Sequence, residues 1–295
     1  MKQHYLTTLF LLLWYFTLGQ ETIVFTDEVI QKEKRQFQNH LLSQRFSVAS
    51  NNYDVTFYRC SWIVDPAVRY ISGSVSSYFT ITSATNTITF DLSNALTVDS
   101  VLYRGNKINF IPVANDGLQI NFPAVLPINT KDSVRIYYQG TPPNNGFGSF
   151  NQSNHNGVPV LWTLSEPYGA RDWWPCKDVL TDKADSIDIF ITYPAIYRSS
   201  SNGLPVSETI TDDKRTDYWK HRYPIASYLV AFAVTDYVVN QDQVQLPGRM
   251  MPVALYAYPE SIAGFQQATT IAKAALQKFS ELIEEYPFSR ERYAQ

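Results

Sequence analysis

The sequence predicts a mainly β protein, a sandwich or saddle of antiparallel sheets that gives way near its C-terminus to a strand and a single helix of a second domain. Three observations carry this. Apolar and polar residues alternate in many short runs, aromatic residues reach 15% of the chain, and turn residues recur between the runs. Alternation of period two buries one face of a strand, aromatic side chains suit a pleated surface, and many short strands at this spacing stack as antiparallel sheets.

The first element is a leader. Lys2 precedes an apolar run from Tyr5 to Leu18, with small residues at Thr17 and Gly19. That is the pattern of an export signal, residues 1–19, cleaved between Gly19 and Gln20. The run is shorter than the ~20 apolar residues that cross a bilayer, and no later stretch is apolar enough to span. The expected location is therefore periplasmic, cell-surface or secreted. Residues 20–52 read as a polar lead-in with a charged stretch from Lys32 to Arg35.

A β domain is expected over 53–240. It opens where Tyr53, Val55 and Phe57 alternate with Asp54, Thr56 and Tyr58, and it continues through runs at Val75 to Ile81, Ile88 to Leu92, Val98 to Tyr103, Leu118 to Phe122 and Val134 to Tyr138. Gly105-Asn106 and Asn115-Asp116-Gly117 supply turns between them. Thr141 to Pro159, rich in Asn, Gly and Pro, predicts a long surface loop. Gly146 and Gly148 lack the following helix that a phosphate cradle needs. Strands resume at Ile187, Ile189, Ile191 and at Tyr228 to Val234, with an Asn202-Gly203 turn between.

Residues 241–295 change period. After a strand at Val253 to Ala257, the residues Phe265, Ala268, Ala272, Ala275, Phe279, Leu282 and Tyr286 recur every three or four positions, one face of an amphipathic helix that Pro287 stops. One strand and one helix cannot close a core without another layer. This segment reads as the beginning of a second domain.

Composition and motifs narrow the chemistry. A formal net charge of −3 without a Lys/Arg cluster excludes the usual nucleic-acid footprint. Of the four histidines, His4, His40, His155 and His221, none forms H-E-x-x-H, the spacing that puts two imidazoles on one helix face for zinc. His221, between Lys220 and Arg222, reads as an exposed strand position. No G-x-S-x-G elbow is present, and Cys176 has no histidine partner legible in the sequence. These 295 residues are therefore expected to hold no complete catalytic centre, no metal ligand and no catalytic residue of their own. The two cysteines, Cys60 and Cys176, are permitted a bridge by export, with two buried free thiols as the alternative.

Thr163 to Ser186 is the informative segment: Glu166 precedes Pro167, and Trp173-Trp174-Pro175 is flanked by Arg171, Asp172, Lys177 and Asp178. Bulky aromatics beside paired charges imply a buried, ordered loop. Taken alone, this is either a structural corner in which Arg171 and the acids satisfy one another or part of a site.

The Glu-Pro, Ala-Arg, Trp-Pro-Cys-Lys-Asp and Asp-Lys-Ala-Asp elements resemble the signature of the zinc aminopeptidases related to aminopeptidase N, late in their N-terminal domain. The opening strand YDVTFYRCSWIVDPAVRYISGSV and the SYLVAFAV strand support the likeness, which runs from about Tyr53 to Tyr286. The resemblance implies a saddle-shaped β domain followed by the start of an α+β, thermolysin-like catalytic domain. It places the Gly-x-Met-Glu-Asn-type loop, the H-E-x-x-H helix and the later Glu ligand beyond Gln295, so the Zn²⁺ of the full-length enzyme would have no ligand here. It also implies that Glu166 holds the free α-amine of a peptide substrate. Leu164 departs from the Gln often found two residues before that Glu. A non-catalytic peptide- or ligand-binding module, or a scaffold that has lost its zinc residues, is the alternative.

Overall fold

The computed structural model describes residues 47–144 and 148–295. The expected export signal and most of the lead-in lie outside them. In order along the sequence the strands are β1 (Tyr53–Asp65), β2 (Val68–Ile81), β3 (Thr85–Asp91), β4 (Leu96–Tyr103), β5 (Asn106–Ile108), β6 (Phe110–Val113), β7 (Gly117–Leu126), β8 (Lys131–Gly140), β9 (Phe150–His155), β10 (Val158–Thr163), β11 (Ser186–Pro194), β12 (Arg198–Ser201), β13 (Leu204–Thr211), β14 (Lys214–His221), β15 (Phe232–Thr235), β16 (Val238–Gln245), β17 (Met250–Ala257) and β18 (Tyr293–Ala294). One α-helix, α1 (Ile262–Leu282), lies between β17 and β18.

The mainly β architecture agrees with the alternation in the sequence. The largest sheet runs β13-β14-β11-β1-β2-β8-β4-β5, and two smaller sheets, β12-β15-β10-β9 and β3-β7-β6, accompany it. Their inner faces share one continuous core that extends from Tyr53 to Val234. Within the large sheet β1 pairs with β11 in parallel, from Phe57 opposite Ser186 to Ile63 opposite Thr192. A parallel pair needs a crossover. Here the segment between Asp65 and Ser186 makes it, and the aromatic-rich loop is its last part.

β1 departs from simple alternation. A register shift between Val55 and Phe57 marks a bulge, after which Tyr58, Cys60, Trp62 and Val64 point inward. Phe57, expected beside Tyr53 and Val55, is turned to the other face, because one extra residue in a strand inverts every side chain after it.

Two other expectations change. Much of Thr141–Pro159 is a hairpin, β9 and the start of β10, turning at Asn156-Gly157 with positive φ at both. β9 is an edge strand that buries only Phe150, so its polar sequence carries no alternation to read. The strand expected from Tyr228 begins at Phe232, since Ser227–Leu229 forms a 3-10 turn.

Beyond Thr235 a separate sheet, β16-β17-β18, holds a small core of Val244, Leu246, Met251 and Val253. β16 pairs with β17 from Val238 opposite Ala257 to Gln245 opposite Met250, so the expected boundary at residue 240 falls inside a strand. α1 lies on β16 and β17. Only Thr269 and Ser280 of the helix are fully buried, with Leu276 packed on the small core. The helix thus meets its sheet along an edge beside the apolar stripe, and the stripe itself is open: Phe279 is 62% and Leu282 68% exposed.

This segment is tied to the β domain by specific polar contacts. Glu291 accepts from Nδ1 of His221 at 2.6 Å and from the Arg222 N–H at 2.6 Å. His221 is therefore a half-buried contact residue and not an exposed strand position. Arg292 donates to the Gly203 and Ser201 carbonyls at 2.8 and 3.1 Å and lies over the Trp219 ring. Gly203 has φ +81°, and a methyl there would come within 1.9 Å of the Lys220 carbonyl oxygen. The Asn202-Gly203 turn needs glycine on both counts.

Candidate functional site

The loop that follows β10 is organised around a buried arginine. Arg171, fully enclosed, donates from Nε to Asp178 Oδ2 at 3.2 Å, and its Nη1 stands 3.6 Å from Asp91 Oδ1. Asp91 also accepts from the Ser47 hydroxyl at 2.6 Å and from the N–H groups of Val48 and Asp178 at 2.7 and 2.8 Å. Asp178 accepts from the Ser227 hydroxyl at 2.7 Å. Burial pushes the Asp178 carboxyl above its ordinary range while Arg171 pulls it back. Such a cluster is tolerable in a core because every charge meets an opposite charge or a directed donor.

The neighbouring lysine is held in the same way. Lys177 Nζ reaches the Tyr53 carbonyl at 2.6 Å and Asp182 Oδ2 at 2.5 Å, and it lies 4.6 Å from the Tyr53 ring centroid. Its backbone N–H donates to the Tyr58 hydroxyl at 3.0 Å. Trp173 and Trp174 are buried among Trp62, Tyr58 and Phe232, with edge contacts of 4.8 Å between Trp62 and Trp173 and 5.0 Å between Tyr58 and Trp174. The buried, ordered loop expected from the sequence is present at these residues.

Glu166 stands apart from this network. It is exposed, in the turn between β10 and the 3-10 helix Ala170–Asp172, and no described residue pairs with its carboxylate. Arg171 is not its partner, being held by Asp91 and Asp178. The backbone on either side of Glu166 is nevertheless pinned. Leu164 N–H donates to the Ser149 carbonyl at 3.0 Å, and Gly169 N–H donates to the Ser165 carbonyl at 2.8 Å. Trp173 Nε1 donates to Ser165 Oγ at 2.8 Å, and Ser149 Oγ to Asp172 Oδ2 at 2.8 Å. A methyl on Gly169 would lie 2.1 Å from Ser149 Oγ, so this approach requires glycine. The arrangement presents one unneutralised carboxylate on a fixed turn, which can accept charge-assisted hydrogen bonds from a cation.

Cys60 and Cys176 are free, fully buried thiols, so the bridge that export would permit is not formed here. Burial pushes both thiols well above their ordinary range. That disfavours the thiolate through which disulfides form. Sequence reasoning missed Asp91, Ser149 and Ser227, which meet the loop through tertiary contacts and carry no local signal, and it gave no role to Ser165 within the loop. Among the described residues no group of three or more His, Cys, Asp or Glu is placed to hold a metal.

Residues 49–229 match the family model of the peptidase M1 N-terminal domain. The protein belongs to this family. Solved M1 structures share the fold of this M1 N-terminal domain. The M1 zinc metallopeptidase of Deinococcus radiodurans superposes with a TM-score of 0.69 at 22% identity, over 83% of this chain and 56% of that one. A mutant of that enzyme bound to a Tyr-Ser-Ala substrate gives 0.69 at 21% identity, over 83% and 56%. Native yeast LTA4 hydrolase gives 0.69 at 19% identity, over 84% and 38%. The sequence thus spans somewhat over half the length of the Deinococcus enzyme. No curated protein matches it.

Proposed function

We propose that this protein is the N-terminal portion of an exported zinc aminopeptidase, in which it supplies the β domain and the carboxylate that holds the substrate's free α-amine. The observation that carries the reading is Glu166: an exposed carboxylate, unpaired among the described residues, on a turn fixed from both sides. An exopeptidase must distinguish a peptide's end from an interior peptide bond. The feature unique to that end is an ammonium of pKa ~8, mostly protonated at neutral pH. A fixed carboxylate recognises it and sets which bond lies at the reacting centre.

The described residues do not fit a zinc site, so no step is assigned to zinc here. In the proposal the metal and the general base are carried by further residues beyond Gln295. The open apolar stripe of α1 supports such a remainder, because exposed Phe279 and Leu282 are stabilised only when another layer covers them. Export rests on the signal pattern at residues 1–19, which lie outside the described region. Two hydrophobic cores on either side of Thr235 support a domain division in this neighbourhood.

The test is the zinc-loaded full-length protein with Glu166→Ala. Removing one partner of a desolvated charged pair costs ~2–5 kcal/mol, so kcat/KM toward aminoacyl amides should fall roughly 30-fold to several thousand-fold. Zinc content should be unchanged. A full-length protein that binds peptides but neither binds zinc nor hydrolyses them would instead support the binding-module reading.

A further inference from the structure

We infer that Ser165 and Trp173 are positioning residues for Glu166, so that the buried aromatic cluster of the signature loop serves to hold the amine anchor at one point. This rests on the anchor reading above.

Trp173 is immobilised by the rings of Trp62, Phe150 and Phe232, and its carbonyl accepts from the Tyr138 hydroxyl at 3.0 Å. The single polar atom of its side chain, Nε1, donates to Ser165 Oγ. Ser165 is buried and immediately precedes the exposed Glu166. Its carbonyl then accepts from Gly169 N–H, closing the turn that contains Glu166. A deeply packed ring of the loop is thus linked by one directed hydrogen bond to the residue beside the anchor.

Packing alone does not account for that bond. The adjacent Trp174 is equally buried, and its Nε1 has no hydrogen-bond partner among the described residues. The cluster therefore tolerates unpaired indole N–H groups at Trp62 and Trp174 and directs that of Trp173 toward the Glu166 turn. A carboxylate on an exposed turn would otherwise sample many positions, and a 1 Å misplacement of a group acting on substrate costs up to about 100-fold in rate.

A double-mutant cycle tests this in the zinc-loaded full-length protein. Ser165→Ala, which removes the bond with little loss of volume, and Trp173→Phe, which removes it together with part of a buried ring, should raise KM and lower kcat/KM by about tenfold with zinc content unchanged. In the Glu166→Ala background neither should lower kcat/KM further, because there is no anchor left to position. Equal losses in both backgrounds would overturn the inference, since they would mark a general structural role. So would a folded Ser165→Ala protein with wild-type KM. If Glu166→Ala is itself silent, the anchor reading fails first and takes the positioning role with it. Should Trp173→Phe not fold, the Ser165→Ala arm decides alone, supported by amide exchange in the 295-residue protein. Faster exchange at Gly169 with unchanged β1 protection is expected, and unchanged Gly169 protection contradicts the link.

Discussion

The β domain and the strand-helix segment after it solve the same burial problem with opposite outcomes. In the first, three sheets enclose one continuous core and even its charges, Arg171, Asp91 and Asp178, are buried and mutually satisfied. In the second, a three-stranded sheet and one helix enclose four core residues, and the apolar stripe of α1 faces outward. Closure requires a second layer over every apolar face. The β domain possesses that layer, and the segment has it on one side only. A closed, charge-locked body holds its surface turns in place, whereas the open segment keeps an apolar face exposed among the described residues.

The largest effect that would break this contrast is at Arg171. Arg171→Met leaves Asp91 and Asp178 buried without their cation, and breaking such a cluster costs ~3–5 kcal/mol. Denaturant unfolding should show the loss in the β-domain transition. A change under ~1 kcal/mol would mean that the charges are hydrated in solution.

A paired truncation sharpens the contrast. Ile189→Ala, in the centre of the large core, should cost ~2–5 kcal/mol. Leu276→Ala, at the edge of the small core, should cost less, on the order of 1–2 kcal/mol for partly buried methylenes. Hydrogen exchange should confine the second effect to β16, β17 and α1. Equal costs, or global loss of protection from Leu276→Ala, would show one cooperative core where two are described.

Exposed stripe residues should matter little to stability. Phe279→Ser and Leu282→Ser should change it by no more than ~0.5 kcal/mol while reducing self-association through the apolar patch. A loss above ~2 kcal/mol would show that the face is covered within these residues.

The smallest effect is a pH dependence at the contact between the two regions. Glu260 is held below the ordinary glutamate range first by its hydrogen bond with His155, whose ring stacks on Tyr258 at 3.6 Å. Its folded value lies below the ordinary value of 4.5, so the stability it contributes is full above that pH and is lost as pH falls through the lowered value. The melting difference between wild type and Glu260→Gln should therefore be present above pH 4.5 and shrink as the pH falls below it. A difference that grows as the pH falls below 4.5 contradicts the sign.

Much of this fold was legible because alternation survives wherever a strand has one buried face, as in β11 with Ile187, Ile189 and Ile191. It failed where the backbone departed from regular pairing or the strand lay at an edge. The bulge after Val55 turned Phe57 outward, and β9 kept its strand geometry with one buried residue. The helix period was visible, but not the edge on which α1 would rest, because Thr269 and Ser280 are small and polar. At the site, Glu166, Arg171 and the tryptophans stood out as an unusual local string. Asp91, Ser149 and Ser227 did not, since their roles arise only from tertiary contacts. The two cysteines show the same limit: export permits a bridge, but the fold buries them as thiols.

The role proposed for Glu166 is to read the free amine, and amine dependence measures it directly. Inhibition of the zinc-loaded full-length protein by a peptide with a free N-terminus and by its N-acetylated form should be compared in wild type and Glu166→Ala. Wild type is expected to prefer the free amine by roughly 30-fold or more, and Glu166→Ala to lose most of this preference while binding the acetylated form about equally. An undiminished preference in a folded, zinc-loaded Glu166→Ala protein would contradict that role.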